Sequence, residues 1–155
     1  MKKSILSLLL LINLANADYI RDDDRGIVID TTTSLMWQDE PYTSAEVTAF
    51  DNNTESGKVL YWTTAISYCE NLTYGTYSDW YLPNYNELKS IVDRNNYNPS
   101  LNSIFTNSVS SVYWSSTSVA YDASYAWVVY FDDGGDYAGD KTRTGYVRCV
   151  RSADN

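Results

Sequence analysis

Two cysteines, Cys69 and Cys149, constrain this chain more than any other feature, because joined they would tie its middle to its end. Whether they are joined depends on the compartment, and the N-terminus speaks to that. Lys2 and Lys3 precede an apolar run from Ile5 to Leu14, and Ala15-Asn16-Ala17 supplies the small-x-small pattern at which a secretory signal is cut. The run is well short of the roughly 20 apolar residues that span a bilayer. These features predict a signal peptide over residues 1–17, no membrane insertion, and export to the periplasm, the cell surface or the medium. In an oxidising compartment the natural pairing is Cys69 with Cys149. Closing a loop of about 80 residues stabilises a fold by roughly 4 kcal/mol on the chain-entropy account.

Removing 17 of the 155 residues leaves 138, a length that suits one domain with one core. Both N-terminal lysines leave with the signal, so nine basic residues face twenty acidic ones, a net charge of −11. Such a surface repels nucleic acid and anionic membrane alike. Arg143, Arg148 and Arg151 are the one concentration of positive charge, and they are expected to be surface partners of carboxylates. The chain has no histidine. That excludes Ser-His-Asp and Cys-His nucleophiles and histidine-ligated zinc, iron and most copper sites. Paired carboxylates, as in a glycosidase, remain as raw material without a signature. The expectation is a non-catalytic protein without a cofactor.

Along the chain, 18–25 (with "RDDDR") reads as a flexible arm, and "GIVIDTTTSLMWQDE" as an edge hairpin of Gly26–Asp30 and Ser34–Gln38 around a Thr-rich turn. The polar stretch from Pro41 to Lys58 reads as a loop or a marginal short helix. "TTAISYCENL" predicts a helix capped by Thr63, with Trp62, Ile66, Cys69 and Leu72 on its core side. In "WYLPNYNELKSIVD", Asn84 followed three residues later by Glu87 is a capping-box pattern, and it predicts a second helix from Tyr85 to about Asp93 with Leu88, Ile91 and Val92 inward. "SVYWSST" (111–117), "YAWVVYF" (125–131) and "GYVRCVR" (145–151) read as strands, and 152–155 as a tail. Helices in the middle and strands at both ends give an α+β domain.

"LMWQD", "AISYCENL", "WYLPNYNELKSIVD", "YWSST", "AWVVYF" and "VRCVR", in this order and at these spacings, resemble the C-terminal domain family of the Legionella collagen-like adhesin over residues 26 to 151. The resemblance implies a C-type-lectin-like fold related to the sulfatase-modifying factors: a small twisted antiparallel sheet, two helices, N- and C-terminal strands brought together, and a disulfide from Cys69 to Cys149. It also implies a secreted or envelope-exposed module that binds glycans, as an adhesin does. The alternative is a protein-interaction or envelope-assembly module of the same fold without a sugar site. Two departures stand out. Tyr81 occupies a place where the family usually has Arg, and the chain has no collagen-like Gly-x-y tract, while its acidity opposes sulfated polymers.

Two groups of residues are candidates for a ligand site. Tyr121, Tyr125 and Tyr137, with Trp114 beside them, offer rigid aromatic faces of the kind that stack on sugar rings. "FDDGGDYAGDK" places Asp132, Asp133, Asp136 and Asp140 in a Gly-rich turn, the oxygen-rich composition that calcium takes. Their spacing fits no EF-hand loop, so an acidic solvated hairpin is the expectation, with the four aspartates retained as weak calcium candidates. The expected partner is an extracellular glycan or a surface protein.

Overall fold

The computed structural model describes residues 18–154; the signal-peptide reading of residues 1–17 lies outside them. Near the N-terminus, β1 (Tyr19–Asp22), β2 (Ile27–Asp30) and β3 (Leu35–Gln38) form an antiparallel meander that β9 (Val150–Ser152) joins in the order β1-β2-β3-β9. The expected hairpin is β2–β3, in register from Ile27 opposite Gln38 to Asp30 opposite Leu35. Its turn is held by Asp30 Oδ1, which accepts from the amides of Thr32 at 2.9 Å and Thr33 at 3.2 Å. The edge position expected for this hairpin belongs instead to β1. Residues 18–25, expected as a flexible arm, are thereby built into the sheet. Arg21 anchors them, with its guanidinium on Asp39 and on the Ile104 carbonyl, and the Tyr19 ring meets Phe105 edge-on at 5.8 Å. The tail set at 152–155 also starts inside a strand, and the Ala153 amide donates to the Ser34 carbonyl.

Three helices form where two were expected. The stretch read as a loop or a marginal short helix contains a short helix, α1 (Ser44–Asp51), started by Thr43 and Glu46 in a reciprocal capping box. Glu46 is buried, and its second oxygen accepts from the Lys58 amide at 2.6 Å. The helix α2 (Trp62–Glu70) begins at Tyr61 without a side-chain cap, so Thr63 lies inside the first turn rather than ahead of it. Cys69 faces the core as expected. The third helix, α3 (Tyr85–Ser90), has the expected Asn84–Glu87 capping box but stops before Asp93, with Ile91 at its C-cap and in the core. Tyr81 donates its hydroxyl to Glu87 at 2.9 Å and so buttresses that box.

A second sheet runs β4 (Val59–Tyr61), β8 (Thr144–Tyr146), β5 (Val112–Val119), β6 (Asp122–Tyr130), β7 (Gly135–Asp140). Its pairings are antiparallel except β5–β8, which is parallel. The one small sheet expected is therefore two sheets, and the strand expected over 145–151 is split between them. Residues 147–149 form the crossing: Val147 donates to the Lys58 carbonyl, and the Cys149 carbonyl accepts from Gln38. Arg148 requires this break. Its guanidinium is 1% exposed and reaches Asp39 at 2.6 Å, the Gln38 carbonyl, the Asn107 carbonyl and Ser108 Oγ, a set that a continuous strand would not bring within reach.

Two apolar clusters fill the interior. One joins Trp37, Leu88, Ile91, Tyr113, Phe131 and Tyr146; the other surrounds Cys69, Cys149, Trp80 and Trp114. The Cys69–Cys149 disulfide ties α2 to the segment entering β9, with its Cα atoms 5.6 Å apart. Arg151, 2% exposed, pairs with Asp79 and lies over the Tyr77 ring at 4.1 Å. Two of the three arginines expected at the surface are thus interior: Arg148 meets the buried carboxylate of Asp39, and Arg151 is covered by Tyr77 while its partner Asp79 stays half-exposed. Among the described residues no helix is long and apolar enough to cross a membrane.

Candidate functional site

Strand alternation puts cross-strand partners on one face of a sheet. The register therefore lines up Trp114, Val128 and Tyr137 across β5, β6 and β7, and beside them Val112, Tyr130 and Gly135. The indole of Trp114 donates to the Leu60 carbonyl at 3.0 Å and lies against Gly139 and Gly145. A Cβ at Gly139 would stand 2.9 Å from the Trp114 ring, and one at Gly145 2.7 Å from its Nε1. Two glycines thus leave room for one large ring.

Over this surface runs a groove of about 480 Å³, lined by Trp114, Val128, Tyr125, Tyr137, Asp140 and Arg143. Its opposite wall is the end of α1 and the turn after it, with Phe50, Asp51 and Asn53. Asn53 adopts a left-handed backbone, φ 52°, which Asn tolerates better than most residues. Its side-chain oxygen accepts from the Thr144 amide at 2.8 Å, and its carbonyl accepts from the Tyr61 hydroxyl at 2.8 Å. These bonds fix the two walls relative to each other. A further clamp sits behind β7, where Lys141 Nζ lies 3.7 Å over the Trp62 ring and donates to Ser118 Oγ and the Ala123 carbonyl.

The groove carries charge at its rim. Asp140 Oδ1 accepts from the Thr142 amide and hydroxyl, each at 2.8 Å. These bonds, the backbone one first, hold its carboxyl below the usual range, with a smaller attraction from Arg143. Among the described residues the Arg143 guanidinium and the Asp51 carboxylate make no hydrogen bond or ion pair, and both are exposed. Thr144 Oγ1, in the buried part of the wall, has no hydrogen-bond partner there either. Burial raises the Tyr137 phenol above its ordinary value, so it is a neutral donor at physiological pH.

Of the candidate ligand residues, Tyr125, Tyr137, Trp114 and Asp140 meet at this groove. Trp114 is 2% exposed, so it forms the groove's packed wall more than a free stacking face. Tyr121, 80% exposed in the β5–β6 turn, is not among the lining residues. Asp132, Asp133 and Asp136 are not either. Asp133 Oδ1 accepts from the Gly135 amide at 2.7 Å and so closes the β6–β7 turn. Asp136 is paired with Lys89, which holds its carboxyl below the usual range. The Asp132 carbonyl holds the 95–101 loop through Asn98 and Ser100. The four aspartates are thus divided among separate roles, and among the described residues no three acidic or thiol groups are placed to hold a metal. Asp51, Asn53 and the two glycines were not among the candidates, because the end of α1 lies in a polar stretch that reads as a loop or a marginal short helix and β7 in one that reads as a turn.

The profile of the Lcl C-terminal domain matches residues 26–151. No curated protein sequence matches the chain.

Proposed function

We propose that this chain, which belongs to the Lcl C-terminal domain family, is an exported, non-catalytic binding module that holds a glycan in the groove between β7 and the end of α1. The observation that carries the reading is the register that sets Tyr137 beside Val128 and Trp114, with Tyr125 at the same groove. A sugar ring has one apolar face and a rim of hydroxyls. Aromatic side chains with polar tips match that distribution at low entropic cost. Asp140, Asn53 and Arg143 supply charged and amide groups around them.

Binding without turnover fits the electrostatics of Asp140. A glycosidic general acid needs a carboxyl held protonated. Asp140 is pushed the other way. Export fits the disulfide, which suits an oxidising compartment. We read the architecture as C-type-lectin-like, on the pairing of β3 near the N-terminus with β9 at the C-terminus. A glycan array probed with the oxidised domain, beside Tyr137→Ala and Tyr125→Ala, tests the function. The reading expects glycan hits that both variants weaken. Silence across the array, with a surface protein captured instead, would transfer the function to protein interaction.

A further inference from the structure

The charges around the groove specify more than a sugar. Three ionic groups line it: the Arg143 guanidinium and the carboxylates of Asp51 and Asp140. None is used up within the fold. Among the described residues the side chains of Arg143 and Asp51 make no hydrogen bond or ion pair, and Asp140, weakly attracted by Arg143, engages Oδ1 alone in hydrogen bonds, leaving Oδ2 open. Arg143 is the one cation among the described residues that line the groove, since Arg148 and Arg151 are buried on Asp39 and Asp79 and Lys141 is committed to Trp62, Ser118 and Ala123.

Each simple ligand class leaves one sign unmatched. A polyanion would meet Arg143 but also two carboxylates, and like charges brought together at an interface cost affinity. A purely cationic sugar would meet the carboxylates and be repelled by Arg143. A neutral sugar would partly desolvate three charges and pair none of them. Resting on the glycan reading above, we infer that the groove selects a zwitterionic sugar, one that bears a free amine and a carboxylate on the same ring system. The amine faces Asp51 and Asp140, the carboxylate faces Arg143, and the ring lies along Tyr137 and Tyr125. Arginine suits the second contact, because its planar fork pairs with a carboxylate through two parallel bonds.

Four sugars separate the charges: muramic acid carries both, N-acetylmuramic acid only the carboxylate, glucosamine only the amine, and N-acetylglucosamine neither. Calorimetric titration of the oxidised protein at neutral pH and low salt is expected to give muramic acid at least a tenfold advantage over each of the other three. Arg143→Gln should reduce muramic acid to the level of glucosamine, and Asp51→Asn should move it towards N-acetylmuramic acid. Asp140→Asn keeps the oxygen that Thr142 uses and provides the second acidic variant, with thermal melts reporting that each variant is folded. Equal affinities for muramic and N-acetylmuramic acid, or a preference untouched in all three variants, would overturn the inference. If sugars still bind and Tyr137→Ala still weakens them, the glycan reading survives that result. If no sugar binds, both fall together.

Discussion

Trp114 and Gly145 are packed so closely that a methyl group on Gly145 would stand 2.7 Å from the indole Nε1. Gly145 does not have a left-handed backbone, so the demand for glycine here is steric and not conformational. Gly145→Ala is therefore expected to push the ring off the Leu60 carbonyl and to destabilise the protein by about 1–3 kcal/mol, the usual cost of overpacking. A thermal melt and the tryptophan fluorescence should both change. An unchanged melting temperature would mean that the ring is free to move aside.

Asp39 lies between two guanidinia, with Oδ1 on Arg148 at 2.6 Å and Oδ2 on Arg21, and it also accepts from the Thr106 amide. Asp39→Ala leaves Arg148 charged in the interior, because a guanidinium keeps its proton at any ordinary pH. Removing one partner of a buried pair typically costs about 3–5 kcal/mol. Urea unfolding measures this, and a loss below about 1 kcal/mol would show that water reaches the site.

Glu46 sets an acid limit on stability. Burial alone would raise its pKa, but hydrogen bonds from the Thr43 and Lys58 amides, then from their side chains, outweigh burial and lower it from 4.5. A depressed folded-state value means that the stabilisation is present above the unfolded value and is lost as pH falls through the folded one. Glu46→Gln should thus be less stable than the wild type at pH 7 by roughly 1.5–3 kcal/mol. The gap should narrow below pH 4.5. A gap independent of pH would point to lost packing alone.

Reducing the Cys69–Cys149 bond, or replacing both cysteines with Ala, removes a link across 80 residues. The expected loss is about 4 kcal/mol. Denaturant midpoints of the oxidised and reduced forms give the comparison, and equal midpoints would show that the link does not limit the unfolded chain.

Local signals in the sequence were the legible ones. Asn84 and Glu87 are three residues apart and each side chain accepts from the other's backbone amide, so the pattern is sufficient to start α3. Thr43 and Glu46 carry the same pattern, but the polar run around them and the burial of Glu46 against Lys58 hid it. The division of 145–151 between two sheets was not legible, because it follows from Arg148 meeting Asp39, 109 residues away. The site divided in the same way. Tyr125 and Tyr137 could be picked out as aromatics in a β-rich region, whereas the opposite wall comes from Asp51 and Asn53, which only the tertiary fold brings to β8. Tyr121 and three of the four aspartates were selected by composition, and the turns and ion pairs of the fold take most of them up elsewhere.

The most direct test of the groove as the ligand site is an amide chemical-shift titration of the oxidised domain with a glycan that it binds. The account predicts that saturable shifts cluster at Tyr125, Tyr137, Gly139, Arg143 and Gly145, and that Tyr137→Ala weakens the titration by about tenfold, close to 1.4 kcal/mol. Shifts that instead centre on Tyr121 or on the β1 edge, with Tyr137→Ala binding as the wild type does, would contradict it.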